Sequence, residues 1–125
     1  MDIKVVDVSA IAALLFTESQ ADAIEARLRD ASLFAPHLFE YELANVCLMK
    51  CRRHPDQSDA LVAAFDHRAD LGVEELSVDI SEVLALALKT GLTACDASYL
   101  WLSRRLGADL VTLDKALGNA AAAGG

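Results

Sequence analysis

Apolar and polar positions along the 125-residue chain alternate between short apolar runs and longer stretches of helical period. Residues 3–7, IKVVD, read as a strand because β-branched residues stand together, and the three- and four-residue spacing that follows predicts helices at about 9–15 and 19–30. A second short strand at 33–35 is ended by Pro36, which lacks the N–H a sheet ladder needs. A long helix follows from about 37 to 53, and His54-Pro55-Asp56 breaks it; Pro55 suits the start of a helix at about 56–71, which Gly72 closes. EELSV at 74–78 is a third strand, Asp79 or Ser81 caps a helix to Thr90, and Gly91 ends it. Thr93 caps another helix to Leu106, Gly107 terminates it, and ADLVTLD is the final strand. A short helix then leads into GNAAAAGG, with residues 119–125 expected as a flexible tail.

Short apolar strands alternating with helices predict an α/β domain whose parallel sheet is covered on both faces. Neither repeats nor a linker divide the chain, so residues 1–125 read as one domain. In such sheets ligands gather beyond the carboxyl ends of the strands, where the βα connections leave.

Composition narrows the chemistry. Hydrophobic residues make up 54% and aromatics 6%, which predicts an aliphatic core. The longest apolar run, Ala10 to Phe16, falls well short of the roughly 20 residues of a membrane span. With no basic leader pattern after Met-Asp-Ile-Lys, the expected location is the cytoplasm, without membrane association. Three cysteines are an odd number, and Cys47 and Cys51 share one helix near His54; they read as core residues and are assigned no chemistry. A net charge of −8 argues against a protein that coats nucleic acid through a broad basic surface. A nuclease is still allowed, since it needs acid in its pocket and basic residues only nearby, where Lys50, Arg52, Arg53, Arg104 and Arg105 are available as otherwise solvated helix faces.

Four acids stand out. IKVVD ends on Asp7 and DLVTLD on Asp114, so two parallel strands place carboxylates at one edge, although each could also cap the helix that follows. Asp96 lies three residues after Thr93, a capping spacing, and shares a helical face with Tyr99, Leu100 and Ser103. Glu42 lies inside a helix where no cap is required, on a stripe with Leu38, Phe39, Asn45 and Val46. A carboxylate there needs a partner, either an arginine or a cation or polar site shared with the other acids. Four converging acids would repel one another and raise their own pKa values, and a divalent cation resolves this. Oxygen ligands without histidine favour Mg²⁺ or Mn²⁺, which points to metal-assisted phosphodiester hydrolysis.

The segments VVDVSAIAALL, APHLFEYELANV and LTACDASYLWLSRRLGADLVTLD, in this order, resemble the PIN domains, and more narrowly the VapC-type ribonuclease toxins of toxin–antitoxin pairs. That resemblance implies a three-layer α/β/α fold with a short central parallel sheet of about four strands. It implies that Asp7, Glu42, Asp96 and Asp114 surround Mg²⁺ or Mn²⁺, with Ser9, Thr112 and Asn45 in support. Val8 and Cys95 depart from the family's usual residues without removing a ligand. An RNA substrate, a cognate antitoxin and a homodimer are the implied partners. The mechanism expected has Asp7, Asp96 and Asp114 holding one ion, with Glu42 orienting a second ion or the attacking water; cleavage would leave a 3′-hydroxyl and a 5′-phosphate.

Rival readings fare less well. A haloacid-dehalogenase-like phosphatase needs a second acid two residues after the first, where Ser9 stands. A phosphorelay receiver would need neighbouring acids at the end of the first strand. A PIN nuclease of RNA processing without an antitoxin, or a mainly protein-binding module, is the alternative. Leu15, Phe16, Ile24, Leu28, Leu38 and Tyr41 could line a partner groove, but an ordinary core requires most of them. Trp101, beside Arg104 and Arg105, could stack a base, sit at a dimer interface or simply pack.

Overall fold

A computed structural model describes residues 2–123. Four strands, β1 (Asp2–Val6), β2 (Ala31–Pro36), β3 (Glu74–Leu76) and β4 (Asp109–Val111), form one sheet in the order β3-β2-β1-β4, all parallel. Seven α-helices accompany them among the described residues: α1 (Val8–Leu15), α2 (Ala21–Leu28), α3 (Phe39–Arg53), α4 (Ser58–Asp66), α5 (Ile80–Thr90), α6 (Ala94–Leu106) and α7 (Lys115–Ala123). The architecture is three-layer α/β/α, as the sequence predicts.

Three local differences have physical reasons. Pro36 is the last residue of β2, opposite Leu76, and the strand begins at Ala31, two residues before the apolar run, because it pairs there with β1. The helix expected over 56–71 is three pieces, a 3₁₀ turn at Pro55–Gln57, α4, and a second 3₁₀ turn at Arg68–Leu71. Residues 119–123 continue α7, where Ala120 and Ala121 pack against the core, so the small side chains serve close approach; 124 and 125 lie outside the described residues.

Topology places the site. From β1 the chain steps outward through β2 to β3, then crosses back to pair β4 with the other side of β1. With right-handed crossovers, this reversal sends α1 to α4 to one face and α5 and α6 to the other. It also opens a crevice between the carboxyl ends of β1 and β4, the switch point at which open α/β sheets bind ligands. Gly107 takes φ +64° after α6, and this left-handed residue turns the chain directly into β4.

The core is aliphatic except for Phe39 and Tyr99. Val5, Val6, Ala10, Ile11, Ala13, Leu43, Leu100 and Val111 are all essentially inaccessible. Alanines at 10, 12 and 13 let α1 lie close to its neighbours, which keeps the start of that helix at a fixed distance from β4.

Candidate active site

Asp7 leaves β1 in extended conformation and caps α1, its Oδ1 accepting the Ala10 amide at 3.2 Å. Asp7 is thus the N-cap of α1. Ser9 donates its hydroxyl to Asp7 Oδ1 at 2.7 Å, and Thr112 donates to Oδ2 at 2.6 Å. These hydroxyls also accept backbone amides, Ser9 from Leu113 at 2.8 Å and Thr112 from Asp114 at 2.9 Å. Side chains thus tie the segment after β4 to the first turn of α1. Asp7 is only 5% exposed. Burial pushes its carboxyl above the ordinary range, the Thr112, Ser9 and Ala10 hydrogen bonds oppose this, and Asp114 pushes it further up.

Glu42 projects from α3 and is half-buried, as its stripe of Leu38, Phe39 and Val46 predicts. Its partner is neither arginine nor lysine but Tyr99, whose hydroxyl donates to Oε1 at 2.6 Å. Burial raises the Glu42 carboxyl, Tyr99 counteracts it, and Asp96 and Asp7 add repulsion. Tyr99 is 1% exposed, and burial together with Glu42 holds its hydroxyl protonated. Asp96 stands in the first turn of α6, its amide held by the Thr93 hydroxyl at 3.1 Å while its carboxyl is raised by burial and by Asp114. Asp114 Oδ1 accepts the Leu117 amide at 2.8 Å and caps α7.

Charge therefore runs in a ring: Glu42 repels Asp96 and Asp7, and both of these repel Asp114. Among the described residues none of the four pairs with lysine, arginine or histidine. Each is tied instead to a nearby donor, and no three His, Cys, Asp or Glu side chains among the described residues are drawn tightly enough to hold an ion as they stand. The donor chemistry nevertheless fits a hard divalent cation: oxygen-only ligands, mutually repelling and without a countercharge.

Asn45, one turn beyond Glu42, is exposed and lines a groove of about 420 Å³ with Ser9, Val46, Met49, Lys50 and Arg53. Lys50 pairs there with Glu18 and lies over the Phe16 ring. A larger cavity of about 550 Å³, lined by Arg27, Arg104 and Asp109, lies at the amino end of β4 and is lined by none of the four acids. Of the six residues offered for a partner groove, Ile24 and Leu28 are core and Leu15, Phe16 and Leu38 pack on it, leaving Tyr41 clear. Trp101 packs against the core and donates to Glu82 at 2.8 Å.

Tyr99 is the site residue that sequence reasoning missed as a partner of Glu42, although its place three residues after Asp96 was available as a signal. Tyr99→Phe should lower cleavage by about tenfold, the equivalent of one positioning hydrogen bond of about 1.4 kcal/mol. Single-turnover assays over a range of Mn²⁺ concentrations would read this.

A family model described as PIN domain matches residues 4–123. Ribonuclease VapC3 of Pyrobaculum aerophilum is 35% identical over 118 residues, spanning 90% of both chains. Ribonuclease VapC9 of Mycobacterium tuberculosis is 36% identical over 115 residues, or 88% of this chain and 84% of that protein. The crystal structure of PAE2754 from Pyrobaculum aerophilum superposes with a TM-score of 0.76 at 27% identity, covering 93% of this chain and 82% of that one. With its switch-point crevice carrying acids from four segments, and with these relatives, the chain belongs to the PIN domain family and within it to the VapC group.

Proposed function

We propose that the protein is a divalent-metal-dependent endoribonuclease, acting in the cytoplasm as the toxin of a toxin–antitoxin pair. The ring of mutually repelling carboxylates at the β1/β4 switch point, without a Lys, Arg or His partner among the described residues, is the observation that carries the reading. The relatives' printed name, ribonuclease, supports RNA as substrate; an antitoxin as partner rests on the resemblance of the sequence segments to toxin–antitoxin ribonucleases.

Asp7, Asp96 and Asp114 would hold Mg²⁺ or Mn²⁺, with Glu42 beside them. When bound, the ion would supply Lewis-acid polarisation of the scissile phosphate and a more acidic water. Ser9 and Thr112 fix both Asp7 oxygens and so orient that carboxylate before any ligand arrives. Tyr99 does the same for Glu42, leaving Oε2 to accept a proton or hold a water. A single-stranded RNA should be cleaved once Mn²⁺ is added and spared when EDTA is added; cleavage indifferent to both would reject the proposal.

The groove past Ser9 and Asn45 supports an RNA path, and Arg53 lines it without an ion pair among the described residues. Arg53→Ala should weaken RNA binding without stopping cleavage at saturation, and reduce the slope of log K against log salt by about one. Fluorescence anisotropy at several salt concentrations measures this.

A homodimer is supported by α5, where Ile80, Leu84 and Leu88 recur at four-residue intervals and are 70%, 58% and 80% exposed. Light scattering should report a dimer that Leu84→Asp converts to a monomer.

A further inference from the structure

Cys47 and Cys51 play no part in the proposed nuclease. They stand four residues apart on α3, so their side chains lie on one helix face, one turn apart. Both thiols turn towards α4: Cys47 donates to the Leu61 carbonyl at 3.7 Å and Cys51 to the Ser58 carbonyl at 3.8 Å. Those carbonyls are themselves one turn apart on α4, so the two sulfurs sit side by side in the seam between the helices. Cys47 is buried and Cys51 half-buried, so the pair meets solvent at Cys51.

Spacing decides which chemistry this pair can perform. Cβ atoms four residues apart on a helix are about 5–6 Å apart, whereas a disulfide requires about 3.5–4.5 Å. A direct S–S bond would therefore break α3. One bridging atom removes the shortfall, because two S–metal bonds of about 2.3 Å allow the sulfurs to lie up to about 4.6 Å apart. Ligand number then decides which ion fits. Among the described residues no third His, Cys, Asp or Glu joins the pair, His54 included, so the four protein ligands of a structural zinc site are lacking. Two soft thiolates alone favour a soft, low-coordinate ion.

We infer that Cys47 and Cys51 form a two-thiolate site for a soft monovalent metal ion, Cu(I) in class, seated between α3 and α4. Binding forms two S–Cu bonds and breaks two S–H bonds, with both protons passing to solvent; no electron is transferred. Its structural cost is two weak S–H···O contacts, while the carbonyls remain in the hydrogen-bond ladder of α4. The site is separate from the acidic crevice and does not depend on the nuclease reading.

The test uses the full-length reduced chain, titrated with Cu(I) under anaerobic conditions against the chromophoric chelator bicinchoninate. One Cu(I) per chain should be retained. Loss of an outer-shell partner already costs a metal site about 10- to 100-fold, so Cys47→Ser and Cys51→Ser should each weaken retention at least that much, and Cys95→Ser should leave it unchanged. Circular dichroism confirms that each variant is folded; should buried Cys47→Ser unfold the chain, half-buried Cys51→Ser decides alone. No retention by the wild type, retention by a folded Cys51→Ser chain, or loss on Cys95→Ser would overturn the inference. So would a Cys47–Cys51 disulfide formed by diamide in the folded chain, because it would refute the spacing argument.

Discussion

Asp7→Asn should lower Mn²⁺-dependent RNA cleavage by on the order of 10³-fold, the equivalent of about 4 kcal/mol of transition-state stabilisation. The fold should survive, because asparagine keeps an oxygen for the Ala10 amide and remains a good N-cap. With that oxygen at the position shared by Ala10 and Ser9, the NH₂ group takes the place of Oδ2, so the Thr112 hydroxyl loses its acceptor, and that would cost about 1 kcal/mol. Urea denaturation beside a cleavage assay separates the two effects. A variant that melts normally yet cleaves normally would remove Asp7 from the site.

Glu42→Gln should lower cleavage by about a hundredfold, again by removing a charge that acts in the transition state, while making the metal-free chain more stable at neutral pH. Burial above all, and then Asp96 and Asp7, hold the Glu42 carboxyl above its ordinary range; Asp7 and Asp96 are raised in the same direction. A carboxyl with a higher pKa when folded binds its proton more tightly in the folded state. Its stabilising contribution is thus complete below the ordinary range near 4, and is lost as pH rises through the raised folded values. Wild type should therefore lose stability relative to Glu42→Gln between about pH 4 and neutrality, and the two should converge at the acid end. Mn²⁺ should reverse the trend at pH 7: at a hundredfold excess over its Kd it adds about 2.7 kcal/mol, several degrees of melting temperature. At pH 4.5 that gain should shrink as protons compete. Melting curves at both pH values, with and without Mn²⁺, check every part of this.

Much of this molecule can be read from the order of its residues, because the informative positions are local. Strand ends at Asp7 and Asp114, caps at Thr93 and Asp79, and the turn at Gly107 each depend on neighbours within a few residues. The alternation of strands and helices was enough to predict a parallel sheet, and a shared sheet edge then placed acids from distant segments together. What could not be read depends on contacts remote in sequence. Tyr99 meets Glu42 across 57 residues, and Thr112 meets Asp7 across 105; no periodicity encodes either pairing. The break in the 56–71 helix and the continuation of α7 through residues 119–123 were missed for the same reason, because packing overrode local composition there. The groove residues divided likewise: Ile24 and Leu28 on α2 face the core, while Tyr41 on α3 faces out, and only the packing of α1 to α3 distinguishes them.

The central claim is that acids from four segments form one divalent-metal site that cleaves RNA. Isothermal titration of the purified chain with Mn²⁺ at pH 7, with RNA cleavage followed in the same preparation, tests it most directly. Saturable binding is predicted in the wild type, lost in Asp7→Asn and Asp96→Asn together with cleavage and unaltered in Cys95→Ser. Equal Mn²⁺ binding by wild type and Asp7→Asn, or cleavage by Asp7→Asn at the wild-type rate, would contradict it.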